Sequence, residues 1–398
     1  MSELKVTDIK TFYCGDLQFV KVYTNEEGIT GVGENIVRRI IEKDMLEGQI
    51  TYLRDVILGE DPFNIERILR KVRNPGAMIS GVEVALWDIK AKKLGVPVYQ
   101  LLGGLYRNKV RVYPHLRGTC NSYPDKKVDN LFWEPWLGVK YTPEELGENA
   151  LELVKEGYTA IKFDPFFPGI DGYHSYRPNE IMAAVERVEA IRYAVGNDID
   201  LLVECHGKFN ASTAIRIGKL LEKYNLMWFE EPVPAGVVKS MKKVADHVNI
   251  PIAAGEGLLS KTELKEYLEN GAMDIMMPEY AGFGGITEAM KICAMCEAYQ
   301  VKVAPHNPRG PVRAMVNAHI SAAIPSFLIL EHEQLAPWAV TPPIKIVNGY
   351  IEVPSVPGLG IDLNEEEIAK HQAKVEDGSY KAYYLWSDPN IEKFGGWL

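Results

Sequence analysis

Apolar and polar residues alternate over Lys5–Tyr13, Phe19–Thr24 and Ile29–Glu34, a pattern that predicts three short strands. Asn25-Glu26-Glu27-Gly28 supplies the turn between the second and third. The period then lengthens to that of a helix, most clearly from Met78 to Leu94. There Val82, Ala85, Leu86 and Ile89 share one face, and Gly95 and Pro97 stop the run. Strands followed by helices predict a small α+β unit.

From about residue 109 short apolar runs recur, at Val110–Pro114, Thr159–Phe163, Asp200–Val203, Met227–Phe229, Ile252–Gly255, Asp274–Met277, Val301–Pro305 and Phe327–Leu330. Each leads to a polar residue, a loop and an amphipathic helix. In one such helix Ser260 and Glu263 form a capping box, Leu264, Tyr267 and Leu268 mark one face, and Asn270-Gly271 end it. Continuous apolar strands alternating with helices are buried on both faces, as parallel strands are. Eight of them fit an α/β fold of the closed (β/α) barrel type, its last helix missing or altered. Alternation returns in Ile344–Val353 around Asn348-Gly349, a type I′ hairpin signal, and Asn364–Lys374 predicts a solvated acidic helix. The expected division is an α+β domain over 1–108, a barrel over 109–340 and a C-terminal segment over 341–398. The 45-residue connection from Pro114 to Thr159 carries Phe132, Trp133 and Trp136 and either shapes the barrel mouth or makes a subunit contact.

Composition narrows the function. The 398 residues are 46 % hydrophobic and 25 % charged, as in ordinary globular proteins, with a formal net charge of −10. The acidic balance and the lack of Lys/Arg clusters argue against a nucleic-acid partner. MSELKVTDIK carries four charges and is not the start of a secretory signal. The chargeless stretch Ala314–Leu330 is 17 residues long and interrupted by Asn317, His319 and Pro325, too short and polar for a membrane span. Cysteines 14, 120, 205, 293 and 296 make no disulfide framework, so a reduced, cytoplasmic setting is expected. Cys293 and Cys296 read as core thiols of a helix.

The chemistry lies at the strand ends: Lys162 in AIKFD, Glu204 in LLVEC, Glu230 in MWFEE, Glu256 in IAAGE, Glu279 in MMPEY, His306 in VAPHN and Glu331 in LILEH. From Glu204 onward the gaps are 26, 26, 23, 27 and 25 residues, about one strand-helix unit each. In a closed barrel such residues share one mouth. Several carboxylates cannot all stay ionised in a desolvated pocket without a counter-charge. Glu204, Glu230 and Glu256, on consecutive strands, are the natural oxygen ligands for a divalent ion such as Mg²⁺. An ion that chelates a substrate carboxylate, with histidines nearby, suits removal of the α-proton. His306 is the candidate base, oriented by Glu279, and His206, two residues past Glu204, the candidate acid for a departing β-hydroxyl. A barrel glycosidase, the reading from another reaction class, needs only two carboxylates and no metal.

The stretches ALWDIKAKKLGVPVYQLLGG (85–104), AIKFD, VECHG, WFEEPVP, IAAGEG, GFGGITEAMKI, VAPHNPRGP and PGLGIDL together resemble the enolase superfamily, in its mandelate racemase-like subgroup, over essentially the whole chain. The resemblance implies an N-terminal α+β capping domain over a (β/α)7β barrel, with the tail returning to the cap. It implies Glu204, Glu230 and Glu256 as Mg²⁺ ligands, His306 with Glu279 as the base dyad and His206 as the acid. Glu331 becomes a polar partner of the enediolate, and Lys162 a contact for the substrate carboxylate. In the racemase-type pattern the second barrel strand ends Lys-x-Lys, whose second lysine is a base; here the segment is Lys162-Phe163-Asp164. Histidine at 206 resembles instead the dehydratases of sugar acids such as gluconate or galactonate, hydro-lyases that yield a 2-keto-3-deoxy acid. The same-fold alternative is a racemase, epimerase or cycloisomerase of a hydroxy acid. Members of the superfamily are often homo-oligomers, octamers among them.

Overall fold

The strand alternation at the N-terminus becomes an antiparallel sheet of β1 (Val6–Cys14), β2 (Leu17–Thr24) and β3 (Thr30–Ile36), in that order. The computed structural model describes residues 3–14, 17–36, 41–72, 79–116, 141–166, 176–308, 310–333 and 336–376. Phe132, Trp133, Trp136 and Cys120 lie outside the described residues. Helices α1 (Ile41–Ile57), α2 (Ile65–Lys71), α3 (Ser80–Leu94) and α4 (Val98–Leu101) follow the sheet. Val20, Val22, Ile50, Leu53, Ile68, Val82, Leu86 and Ile89 form the core of this domain. Helix α3 lies so close to β3 that a Cβ on Gly31 or Gly33 would come within 2.0 or 1.9 Å of a carbonyl oxygen, of Ala85 or Gly81. Only glycine allows that approach.

Eight parallel strands follow, as β4 (Lys109–Tyr113), β5 (Ala160–Phe163), β6 (Asp200–Glu204), β7 (Trp228–Glu230), β8 (Ile252–Ala254), β9 (Ile275–Met276), β10 (Lys302–Val303) and β11 (Leu330–Glu331). Strands β5 to β10 pair consecutively. The ring closes through the His115–Lys162 bridge from β4 to β5, the Val303–Phe327 bridge from β10 to β11, and direct pairing of β11 with β4. Outside it lie α5 (Pro143–Lys155), α6 (Pro178–Val195), α7 (Ala211–Leu221), α8 (Val238–Ala245), α9 (Lys261–Asn270), α10 (Tyr280–Phe283), α11 (Ile286–Ala298) and α12 (Pro311–Ala323). The predicted capping box at Ser260 and Glu263 closes reciprocally at the start of α9. Among the described residues a 3-10 turn, Pro337–Ala339, follows β11 where the other barrel strands are followed by an α-helix. Cys293 and Cys296 are buried on α11. No helix among the described residues is long and apolar enough to cross a membrane.

The long connection after β4 contains a helix the sequence reading passed over. Thr142 and Glu145 make a capping box at the start of α5, with Pro143 at its first position. The tail supplies β12 (Val340–Thr341), β13 (Ile346–Val347), β14 (Tyr350–Glu352), β15 (Asp362–Leu363) and α13 (Glu365–Glu376). Asn348 and Gly349, both at positive φ, turn β13 into β14, which pairs antiparallel with β4. The chain then returns to the N-terminal domain, where Glu365 meets Lys21 at 2.7 Å.

Buried carboxylates of the N-terminal domain fasten it to the barrel. Glu34 of β3 accepts the backbone N–H groups of Gly310, Val312 and Arg313 at the start of α12. Glu83 of α3 does the same for Ile286 and Thr287 at the start of α11. A side chain at Gly285 could not coexist with it, since its Cβ would lie 2.0 Å from Glu83 Oε2. Each carboxylate thus fills the unsatisfied donors and positive end of a barrel helix. Burial, only partly offset by these donors, pushes Glu83 up to about 7. A carboxyl raised in the folded state favours folding below its unfolded pKa, near 4.5, and loses that advantage as pH climbs to the folded value. Glu83 therefore makes stability fall by about 3 kcal/mol between those limits. Thermal melts of Glu83→Gln should show a shallower decline from pH 4.5 to 8 than wild type; parallel curves would contradict this.

Candidate active site

The barrel interior is plugged by Tyr113, Ala160, Leu202, Trp228, Ala253, Ile275, Met277, Ala304 and Ile329. Side chains along a strand alternate in facing, so the residue two further on faces the same interior, nearer the rim. That rule puts His115 above Tyr113, Lys162 above Ala160, Glu204 above Leu202, Glu230 above Trp228, Glu279 above Met277, His306 above Ala304 and Glu331 above Ile329. Glu256 breaks the parity, standing three residues past Ala253. The chain reaches it through Gly255 at φ 115°, and its side chain is the most exposed of the rim carboxylates, at 27 %.

Glu204 and Glu230 are register partners on β6 and β7. One carboxylate oxygen from each of Glu204, Glu230 and Glu256 lies within 4.8 Å of the others. Trp228 Nε1 donates to Glu230 Oε2 at 2.8 Å, and Gly255 N donates to Glu231 Oε1 at 2.7 Å, which steadies the loop before Glu256. Lys162 Nζ sits 2.9 Å from Glu230 Oε1, 2.9 Å from Glu331 Oε1 and 3.3 Å from Glu204 Oε2. Burial and then the Glu204 charge push Glu230 far above the carboxylate range. Burial also opposes ionisation of Glu204, but His206 and Lys162 outweigh it and hold that group low. Full ionisation of the pair therefore calls for further positive charge. Three converging hard oxygens with surplus negative charge fit a divalent cation of the Mg²⁺ or Mn²⁺ kind.

On one side of this trio is His306, whose Nδ1 lies 3.0 Å from Glu279 Oε2. Arg313 of α12 meets the same oxygen. Burial works against the Glu279 charge, yet Arg313 and His306 together pull the group down to about 2. Burial likewise disfavours the imidazolium of His306, but Glu256, Glu331 and Glu279 outweigh it and raise its pKa. Its Nε2 faces Glu256 Oε2 at 3.3 Å and Glu331 Oε2 at 3.8 Å. Glu331 also accepts from Asn307 N at 2.8 Å and meets His115 Nε2 at 2.5 Å. Burial opposes its charge, but Lys162, His306 and His115 keep it well below the usual range.

His206 is on the other side. Sequence alternation places it in extended backbone beyond Glu204; the structure corrects this. The strand ends at Glu204, and His206 has φ 47° with its N–H donating to Glu204 Oε1 at 2.6 Å. Its Nδ1 lies 2.7 Å from Asp164 Oδ2, which also meets Lys208 Nζ. In the closed ring β6 and β10 are four strands apart in either direction, so His206 and His306 flank the trio from opposite sides.

All eight residues singled out from the sequence are therefore at one rim. Three more join them that the sequence reading did not assign. His115 and Asp164 carried a signal, each standing two residues past an inward residue of its strand. Arg313 carried none, because a helix N-terminus brings it in.

Residues 6–103 match the family model described as mandelate racemase / muconate lactonizing enzyme, N-terminal domain, and residues 145–367 the model described as enolase C-terminal domain-like. The chain is a member of the enolase superfamily. Among curated relatives, a D-gluconate dehydratase of Thermoproteus tenax is 34 % identical over 80 % of this chain, which spans 63 % of that protein's length. A D-galactonate dehydratase of Ralstonia pickettii is 32 % identical over 94 % of this chain and 96 % of its own. A solved mandelate racemase/muconate lactonizing enzyme from Sulfitobacter sp. superposes with a TM-score of 0.82 at 34 % identity, covering 92 % of this chain and 95 % of that one. As an enolase-superfamily chain it has the N-terminal α+β domain and the barrel that the resemblance implied, in which, among the described residues, α-helices follow the first seven of the eight barrel strands. The glutamates at 204 and 279 both reach partners across the rim, Lys162 and His306.

Proposed function

We propose that this chain dehydrates an aldonate of the gluconate or galactonate kind to the 2-keto-3-deoxy acid. The observation that carries the reading is the pair of histidines flanking the carboxylate trio from opposite sides. Glu204, Glu230 and Glu256 hold the cation, for which we propose Mg²⁺. When bound it supplies positive charge against which a substrate carboxylate docks and an enediolate is stabilised. His306, its Nδ1 anchored on Glu279, takes the C2 proton at Nε2, leaving the electron pair in the enediolate. His206 gives a proton to the C3 hydroxyl. The C3–O bond breaks with its electron pair on oxygen, water departs, and C2=C3 forms. The resulting enol becomes the ketone by gaining a proton at C3 and losing the C2 hydroxyl proton.

Base and acid on opposite sides make the elimination anti. Lys162 spends its donors on Glu204, Glu230 and Glu331, and turns one of them to the substrate carboxylate. Glu331 is held as an anion and is the polar partner of the substrate near His306. D-Gluconate and D-galactonate share their configuration at C2 and C3 and differ at C4, so the reacting atoms present the same geometry for both.

The test is incubation of the Mg²⁺-supplemented protein with these two acids and with D-mannonate, the C2 epimer of gluconate, reading 2-keto acid formation. We expect product from gluconate, galactonate or both, and none from mannonate, whose C2 proton faces away from His306. Epimer without 2-keto acid would favour a racemase or epimerase, and no conversion of any aldonate would overturn the reading.

A further inference from the structure

We infer that Asp164 is a positioning residue that sets His206 for its proton transfer, an inference that rests on the proposed dehydration. Asp164 stands on the inward face above Ala160 and Lys162, at the position where the racemase-type pattern has a lysine base. Its carboxylate is buried and held at both oxygens. Oδ1 accepts from Phe166 N at 2.9 Å, while Oδ2 meets His206 Nδ1 at 2.7 Å and the buried Lys208 ammonium. The strand position of a second base is thereby occupied by an acceptor already committed to its neighbours. It cannot take up an α-proton at Oδ2 without giving up its contacts to His206 and Lys208.

The same contacts give it a different task. An acceptor fixed at Nδ1 makes that nitrogen the N–H of the ring and fixes the ring plane. Nε2, on the far side of the ring from Asp164, is then the nitrogen that passes the proton to the leaving hydroxyl. His206 needs such support because it sits beyond the strand end at φ 47° with a side chain one-fifth exposed. Backbone pairing with Glu204 holds its Cα, and the shortest contact of ring Nδ1, at 2.7 Å, is to Asp164, against 3.9 Å to Glu204 Oε1.

Loss of Asp164 should therefore spare removal of the C2 proton, which belongs to His306, and impair departure of the C3 hydroxyl. The experiment compares wild type with Asp164→Ala and Asp164→Asn in D2O, using the aldonate that wild type dehydrates, with Mg²⁺ present. Deuterium entering C2 of recovered substrate is measured against 2-keto acid formed. We expect 2-keto acid formation to fall about 10²-fold or more in Asp164→Ala. The ratio of exchange to product should rise at least tenfold. Asp164→Asn, which keeps an acceptor oxygen, should lie between the two. Retained exchange also shows that the variant is folded and its base side intact. If exchange and elimination fall together, or neither changes, Asp164 does not act through His206 and the inference fails while the dehydratase reading stands. If wild type forms no 2-keto acid from any aldonate, the functional reading itself fails and takes the inference with it.

Discussion

His306→Asn lowers 2-keto acid formation by about 10³-fold or more and abolishes deuterium exchange at C2 as well. Asparagine offers no group able to hold a proton at the position of Nε2, so the first bond to break stays intact. The surroundings should tolerate the change. Glu279 keeps Arg313 on its shared oxygen, so removal of the imidazole does not strand a buried, unpaired carboxylate. Loss of both exchange and elimination separates this variant from Asp164→Ala, in which only the second is lost. Rates on the aldonate substrate, with exchange followed by proton NMR, check the expectation. Near-normal turnover would remove His306 from the mechanism.

Glu230→Gln should weaken divalent-cation binding by about 10²–10³-fold, the equivalent of about 3–4 kcal/mol for one charge taken from a buried ionic cluster. Of the trio, Glu230 is the most enclosed, with no solvent exposure, and is the central strand's contribution. Its oxygens meet Trp228 Nε1 and Lys162 Nζ, so a neutral amide there presents an NH2 group to one of these donors or to the cation. Lys162 keeps Glu204 and Glu331 as partners, which limits the damage to the fold. Activity at saturating Mg²⁺ should recover only in part, because the cation then sits on two carboxylates instead of three.

Much of this site was legible in the chain because barrel geometry converts sequence spacing into position. One strand-helix unit takes about 26 residues here, so Glu204, Glu230 and Glu256 recur at that interval and converge. What the spacing did not convey was local backbone. His206 is itself left-handed rather than extended, and Glu256 enters through Gly255 at positive φ, so that simple alternation assigns Glu256 the wrong face. His115 and Asp164 obeyed the alternation rule and could have been found by applying it to the first two barrel strands. The Thr142-to-Glu145 capping box of α5 was equally readable.

Arg313, Glu34 and Glu83 belong to another category. Their roles come from contacts between segments more than 30 and up to 279 residues apart, which no local period encodes. The contacts of Glu34 and Glu83 fasten the N-terminal domain to α12 and α11, the helices that follow the strands leading to His306 and Glu279. The base side of the site is thus held by the domain interface, while the acid side is held within the barrel by Asp164 and Lys208.

The gathering of three rim carboxylates about one cation is tested most directly by titrating metal-stripped protein with Mn²⁺ and following the free-ion signal by electron paramagnetic resonance. The account predicts one tight site per chain, emptied by excess Mg²⁺ and lost from the same concentration range in Glu230→Gln. Wild-type protein that leaves Mn²⁺ free at millimolar concentration, or a variant that binds it as tightly as wild type, would contradict it.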